Sequence, residues 1–68
     1  MSLDAALIAA HARGDTAALV GLYTTAAKAA PSEDAACFYL TQAWVFALDC
    51  GDPAAEGLCA RLRALGRA

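Results

Sequence analysis

The chain has 68 residues, a formal net charge of −2 and a hydrophobic fraction of 60%. Because 20 of its residues are alanine, which favours helices but buries little side-chain area, the bulky side chains available for a core are few. So short a chain can build one small domain at most, and its five basic residues argue against non-specific binding to nucleic acid.

Neither a secretory signal nor a membrane span is expected from the sequence. The N-terminal segment lacks basic residues and carries Asp4, unlike a signal peptide. The longest uncharged run, residues 35–48, is too short and too polar to cross a bilayer. We therefore expect a cytoplasmic protein with reduced thiols that binds no membrane.

The first two predicted helices form a hairpin around a Gly-Asp turn. Ser2 can cap the first helix, predicted over residues 3–13, and Gly14 can end it. Asp15 can cap the second helix, predicted over residues 16–30, which ends before the first proline of the chain.

The second predicted hairpin joins helices over residues 33–49 and 53–65. Ser32 can cap the third helix, and Gly51 can end it. Asp52 can cap the fourth, and the proline that follows stands at the first helical position, where the missing N–H costs nothing.

The predicted fold is one all-α domain spanning residues 1–68, with the four helices arranged as two stacked helix-turn-helix hairpins. The third helix is apolar almost all round, so we expect it to be central and to pack on two or three neighbours. Apolar residues at helical spacing define the expected core. Its predicted members are Leu7, Leu19, Leu22, Tyr23, Leu40, Trp44, Phe46, Leu58 and Leu62.

One arc of the third helix mixes apolar and polar side chains. Its members are Phe38, Gln42, Val45 and Asp49. Apolar anchors inside a polar rim are typical of contact surfaces, and a core this small favours support from association. The leading prediction is a non-enzymatic protein-interaction or dimerisation module that presents helix 33–49 to a second copy of the chain or to another protein.

The alternative is a binder of a small apolar ligand, held between the hairpins beside Trp44 and Tyr39. No residue is predicted to be catalytic, to bind a cofactor or to bind a metal, because few polar side chains could converge on a pocket.

The single histidine and the three cysteines are each expected to have a structural place. We expect His11 to be part-buried at a helix end, bonded to Asp4 or to a backbone group. Cys37 is expected to be a small buried side chain, and Cys50 and Cys59 to pack in the core or at helix ends. Their spacings do not match a zinc site.

Residues 14–18 (Gly-Asp-Thr-Ala-Ala) and 51–55 (Gly-Asp-Pro-Ala-Ala) repeat one turn at an offset of 37 residues. Over residues 14–31 the chain resembles a tetratricopeptide-type helical repeat, through Gly14, Asp15, Tyr23, Ala26 and Pro31. The resemblance implies a scaffold that binds peptides or protein segments in a groove lined by the first and third helices. Leu19 departs from that family's small alanine, and the second hairpin lacks the later aromatic and proline, so a small helical bundle is the alternative architecture.

Overall fold

Four α-helices make up the fold of residues 2–67, the part of the chain that the computed structural model describes. They are α1 (Leu3–Arg13), α2 (Thr16–Lys28), α3 (Glu33–Cys50) and α4 (Ala54–Ala64). The predicted all-α fold with two helix-turn-helix hairpins is confirmed, and no strand occurs within residues 2–67. The helix bounds differ from the predicted ones by two residues at most, since α2 ends at Lys28 rather than at residue 30.

Both hairpins turn through the same backbone arrangement. Gly14 and Gly51 end α1 and α3 in the left-handed conformation, with φ of 65° and 68°, where a side chain would be strained. The aspartate after each glycine donates its backbone N–H to the carbonyl oxygen five residues earlier, at 2.9 Å in the first turn and 2.8 Å in the second. The repeated Gly-Asp pair therefore forms one repeated turn.

The helix starts satisfy their free backbone N–H groups with side-chain oxygens. Ser2, Asp15 and Ser32 each accept from the N–H three residues further on, at 3.1, 3.2 and 3.1 Å. At the start of α4 the Asp52 carboxylate accepts from the N–H two residues on, at 2.9 Å. Pro53 already has helical dihedral angles, φ −59° and ψ −18°, although the regular helix begins one residue later.

The four helices form a flat molecule, whose Cα atoms extend 32 × 28 × 11 Å. The most extensive packing is between α2 and α3, with α1 against α2 and α4 against α3. The hairpins thus meet through α2 and α3, and α3 packs on two neighbours.

The buried core is made mostly of small and medium-sized side chains. Ala43 and Ala47 of α3 are fully covered, which lets a neighbouring helix approach closely, and four leucines are almost fully buried: Leu19, Leu40, Leu58 and Leu62. The buried residues are Ala10, Leu19, Val20, Ala26, Ala27, Cys37, Leu40, Ala43, Ala47, Leu58 and Leu62.

The predicted core members fall into three groups. Four are buried: Leu19, Leu40, Leu58 and Leu62. Three are half-buried and pack against the core: Tyr23, Trp44 and Phe46. The remaining two, Leu7 and Leu22, are half-buried and lie outside the central cluster.

Leu22 shows why the predicted face of α2 differs from the observed one. It lines a shallow groove between α1 and α2, where it meets Ala6 and Ala9, which are too short to cover it. The side of α2 that packs into the α3 core carries Val20 and Ala27 instead. Because α2 packs on both α1 and α3, its buried surface is wider than a single stripe of leucines indicates.

Candidate interaction surface

Three large apolar side chains lie uncovered along one side of α3. Phe38 is 57% exposed, Val45 49% and Leu48 58%. Their spacings of seven and three residues place them in one row along the helix, which we call the α3 stripe. Phe38 and Val45 belong to the predicted arc, whereas Leu48 is not one of the predicted interface residues.

Polar side chains border the α3 stripe. Gln42 is half-buried and Asp49 is exposed, both on the same side of the helix as Phe38 and Val45. Thr41 lies within the row, and its hydroxyl donates to the Cys37 carbonyl oxygen at 2.8 Å. That bond satisfies the hydroxyl, so it does not oppose burial of the row against a partner.

The stripe is uncovered because α3 turns its other side to its neighbours. Cys37, Leu40, Ala43 and Ala47 are buried on that other side, where α2 and α4 pack. No other element of residues 2–67 packs over the remaining arc, so these side chains stay exposed.

Carboxylates mark both ends of the stripe. At the N-terminal end, the Arg67 guanidinium lies 2.6 Å from Asp34 and 3.8 Å from Glu33, and the hydrogen bond to Asp34 raises the pKa of Arg67. At the C-terminal end, Asp49 stands in the last turn of α3, which holds no basic residue. The negative end of the helix dipole adds to the charge of Asp49 there.

A row of aromatic rings joins the stripe to α1. In order along the row its members are Phe38, Tyr39, Tyr23, Phe46 and His11, with neighbouring ring centroids 5.5 to 6.2 Å apart. Tyr23 and Phe46 are stacked, with 10° between their planes. Edge-on and stacked ring contacts of this kind add stability beyond that which comes from the burial of apolar area.

The predicted place of His11 at the end of α1 is confirmed, but its predicted burial and its predicted partner are wrong. The residue is exposed, and its Nε2 lies 2.9 Å from the Tyr23 hydroxyl oxygen rather than near Asp4. Its ring also meets Phe46 edge-on, at 5.7 Å between centroids. The partners lie on two other helices, so sequence neighbours could not reveal them. His11 therefore links α1 to the aromatic row.

The cysteines are all free thiols at separate positions. Cys37 is buried in the core, and Cys59 is half-buried on α4. Cys50 is exposed at the end of α3, with its sulfur 3.8 Å from the Ala47 carbonyl oxygen, so its place is a helix end and not the core.

Two of three surface grooves lie between the hairpins, where the alternative prediction places its ligand. The first groove lies between α1 and α2, the second between α3 and α4 beside Ala27 of α2, and the third between α2 and α4 near Leu58. Neither Trp44 nor Tyr39 lines any of the three.

Comparison with known proteins identifies no relative: no protein-family model, curated protein or solved structure matches the chain. Within residues 2–67, no three His, Cys, Asp or Glu side chains are grouped as a metal site would require. No helix of that part combines the length and apolar character needed to cross a membrane.

Proposed function

We propose that this chain is a non-enzymatic interaction module that presents the α3 stripe to a protein partner, either a second copy or another protein. The observation that carries the proposal is the exposure of Phe38, Val45 and Leu48 in one row. Contiguous apolar surface with a polar border is what protein contact sites use.

The arrangement of the exposed apolar surface, more than its amount, supports the proposal. The accessible surface of 4087 Å² is close to the ~4,000 Å² expected for a folded chain of 6.9 kDa. Scattered apolar side chains on such a surface need no explanation, but three large ones aligned on one helix do.

Burial of the stripe contributes to the binding free energy of a complex but does not supply all of it. Full burial of a large apolar side chain is worth about 1.5–3 kcal/mol, so covering the exposed half of each adds about 1 kcal/mol. Three side chains then contribute about 3 kcal/mol, whereas a micromolar complex needs about 8 kcal/mol. Contacts around the stripe, including the aromatic row, have to supply the rest.

The proposal includes a scaffold of the kind that tetratricopeptide-type repeats form. The shared turn at Gly14 and Gly51 supports two related helical hairpins.

We also propose a cytoplasmic location, because Cys37, Cys50 and Cys59 are free thiols, the usual state in a reducing compartment.

Site-specific photocrosslinking in cells tests the proposed function. A benzoylphenylalanine placed at position 38 should yield a crosslink to a protein, identified by mass spectrometry. The matched control is the same group at Ile8, which is 71% exposed on α1. Adding Val45→Lys to the position 38 variant should abolish the crosslink. If position 38 captures no more protein than position 8, the proposed function is wrong.

A further inference from the structure

The spacing of the α3 stripe indicates the shape of its partner. Together with Thr41, the stripe runs Phe38, Thr41, Val45, Leu48, a spacing of three, four and three residues. This is the spacing of the seam along which two helices pack at a small angle. At about 1.5 Å per residue the row is about 15 Å long, which a partner helix of three to four turns covers.

The charges of α3 indicate the chemistry of that partner. The helix contains three acidic residues and no basic one: Glu33, Asp34 and Asp49. Arg67 offsets part of the charge at the N-terminal end. At the other end Asp49 is exposed, has no ion pair among residues 2–67 and stands at the negative end of the helix dipole. Basic side chains are the complement of this surface.

A second copy of the chain does not supply that complement. If two α3 helices paired antiparallel about the middle of the stripe, Phe38 would face Leu48, and Asp34 would face Asp52 of the other copy. Each end would then collect three carboxylates, from Asp34 of one copy and from Asp49 and Asp52 of the other, against one arginine. A parallel pair would set Asp49 against Asp49. Like charges that face each other in an interface weaken the complex, so they disfavour a second copy as the partner.

We infer that the α3 stripe binds an amphipathic helix of another protein, with an apolar row flanked by lysine or arginine, above all at the end beside Asp49. The inference rests on the proposed function and names its partner class. Apolar side chains give the contact its stability, and the flanking charges set the choice of partner.

Two synthetic helical peptides test the inference. Both carry leucines at the three-four-three spacing on an alanine background; one has lysines at both ends, the other glutamates. Fluorescence anisotropy of each labelled peptide is measured against the full chain. We expect the lysine-ended peptide to bind about tenfold tighter or better, and added salt to reduce that preference.

Variants of the chain test where the peptide binds and which acidic residue sets the preference between the two peptides. Phe38→Asp should weaken binding of the lysine-ended peptide about tenfold or more, while Ile8→Asp leaves it unchanged. Asp49→Lys should reduce or reverse the preference between peptides. Asp4→Lys, which makes the same change of net charge at an exposed acid of α1, should keep the preference. Circular dichroism confirms that each variant keeps its helices.

Three results would overturn the inference. Equal binding of both peptides would show that charge does not select the partner, and binding unaffected by Phe38→Asp would place the contact elsewhere. Tight self-association in sedimentation, abolished by Phe38→Asp and not displaced by the lysine-ended peptide, would make the occupant a second copy. In each case the crosslinking at position 38 decides the proposed function independently.

Discussion

At the scale of single residues, the positions that control the fold include the glycines that end helices and the buried leucines, of which Leu62 is the most completely covered. Gly51 needs a positive φ, whereas Gly57 lies inside α4 with open space around it. Substitution of glycine by alanine therefore has opposite effects on the stability of the chain at the two positions.

We predict that Gly51→Ala destabilises the chain by about 1–2 kcal/mol, since an L side chain is strained in the left-handed region. Gly57→Ala should stabilise it by up to about 1 kcal/mol, since alanine is the better helix former. Urea unfolding followed by circular dichroism measures both. A shift of both midpoints in the same direction would contradict this account of the turn.

Leu62 offers a second test at this scale. It is 1% exposed, so Leu62→Ala should cost about 3 kcal/mol, enough to unfold much of so small a domain. Leu65 is 38% exposed, and Leu65→Ala should cost only about 1–2 kcal/mol. Thermal unfolding of the two variants compares them. Equal losses of stability would mean that the core does not centre on Leu62.

At the scale of helices, the ends were predictable and the packing faces only partly so. A capping serine or a terminal glycine acts on backbone groups within five residues, so Ser32 and Gly51 reveal the ends of α3 from sequence alone. Which side of α2 enters the core depends on two neighbouring helices. That is why Val20, rather than Leu22, lies in the central cluster.

The candidate surface was predictable to a similar degree. Phe38 and Val45 share an arc of α3 with Gln42 and Asp49, and polar neighbours at helical spacing indicate a solvent-facing side. The sequence around Leu48 gives no comparable indication that its side chain faces solvent. The bond between His11 and Tyr23 joins residues on different helices, and no local pattern encodes it.

Close packing of helices through small side chains gives a further prediction. Ala43 is fully covered within the cluster that contains Val20 and Ala27, so Ala43→Leu should destabilise the chain by about 1–3 kcal/mol. Ala60 is exposed on α4, and Ala60→Leu should change stability by less than about 0.5 kcal/mol. Urea unfolding measures both. Tolerance of leucine at position 43 would argue against the close approach of the helices.

At the scale of the whole molecule, α2 and α4 cover one side of the central helix and leave its other side uncovered. The helix α3 buries its alanines on the covered side while it exposes Phe38, Val45 and Leu48. A partner helix on the stripe would cover the remaining side. The proposed interaction therefore follows from the architecture as well as from the side chains.

The most direct test measures the solvent exposure of methyl groups in the isolated chain by NMR with a soluble paramagnetic agent. The leucine and valine methyl signals are compared at low protein concentration. We predict strong relaxation enhancement for Val45 and Leu48, and weak enhancement for the buried Leu40 and Leu62. If the methyl groups of Val45 and Leu48 are as protected as those of Leu40, the chain covers the stripe itself and the account is contradicted.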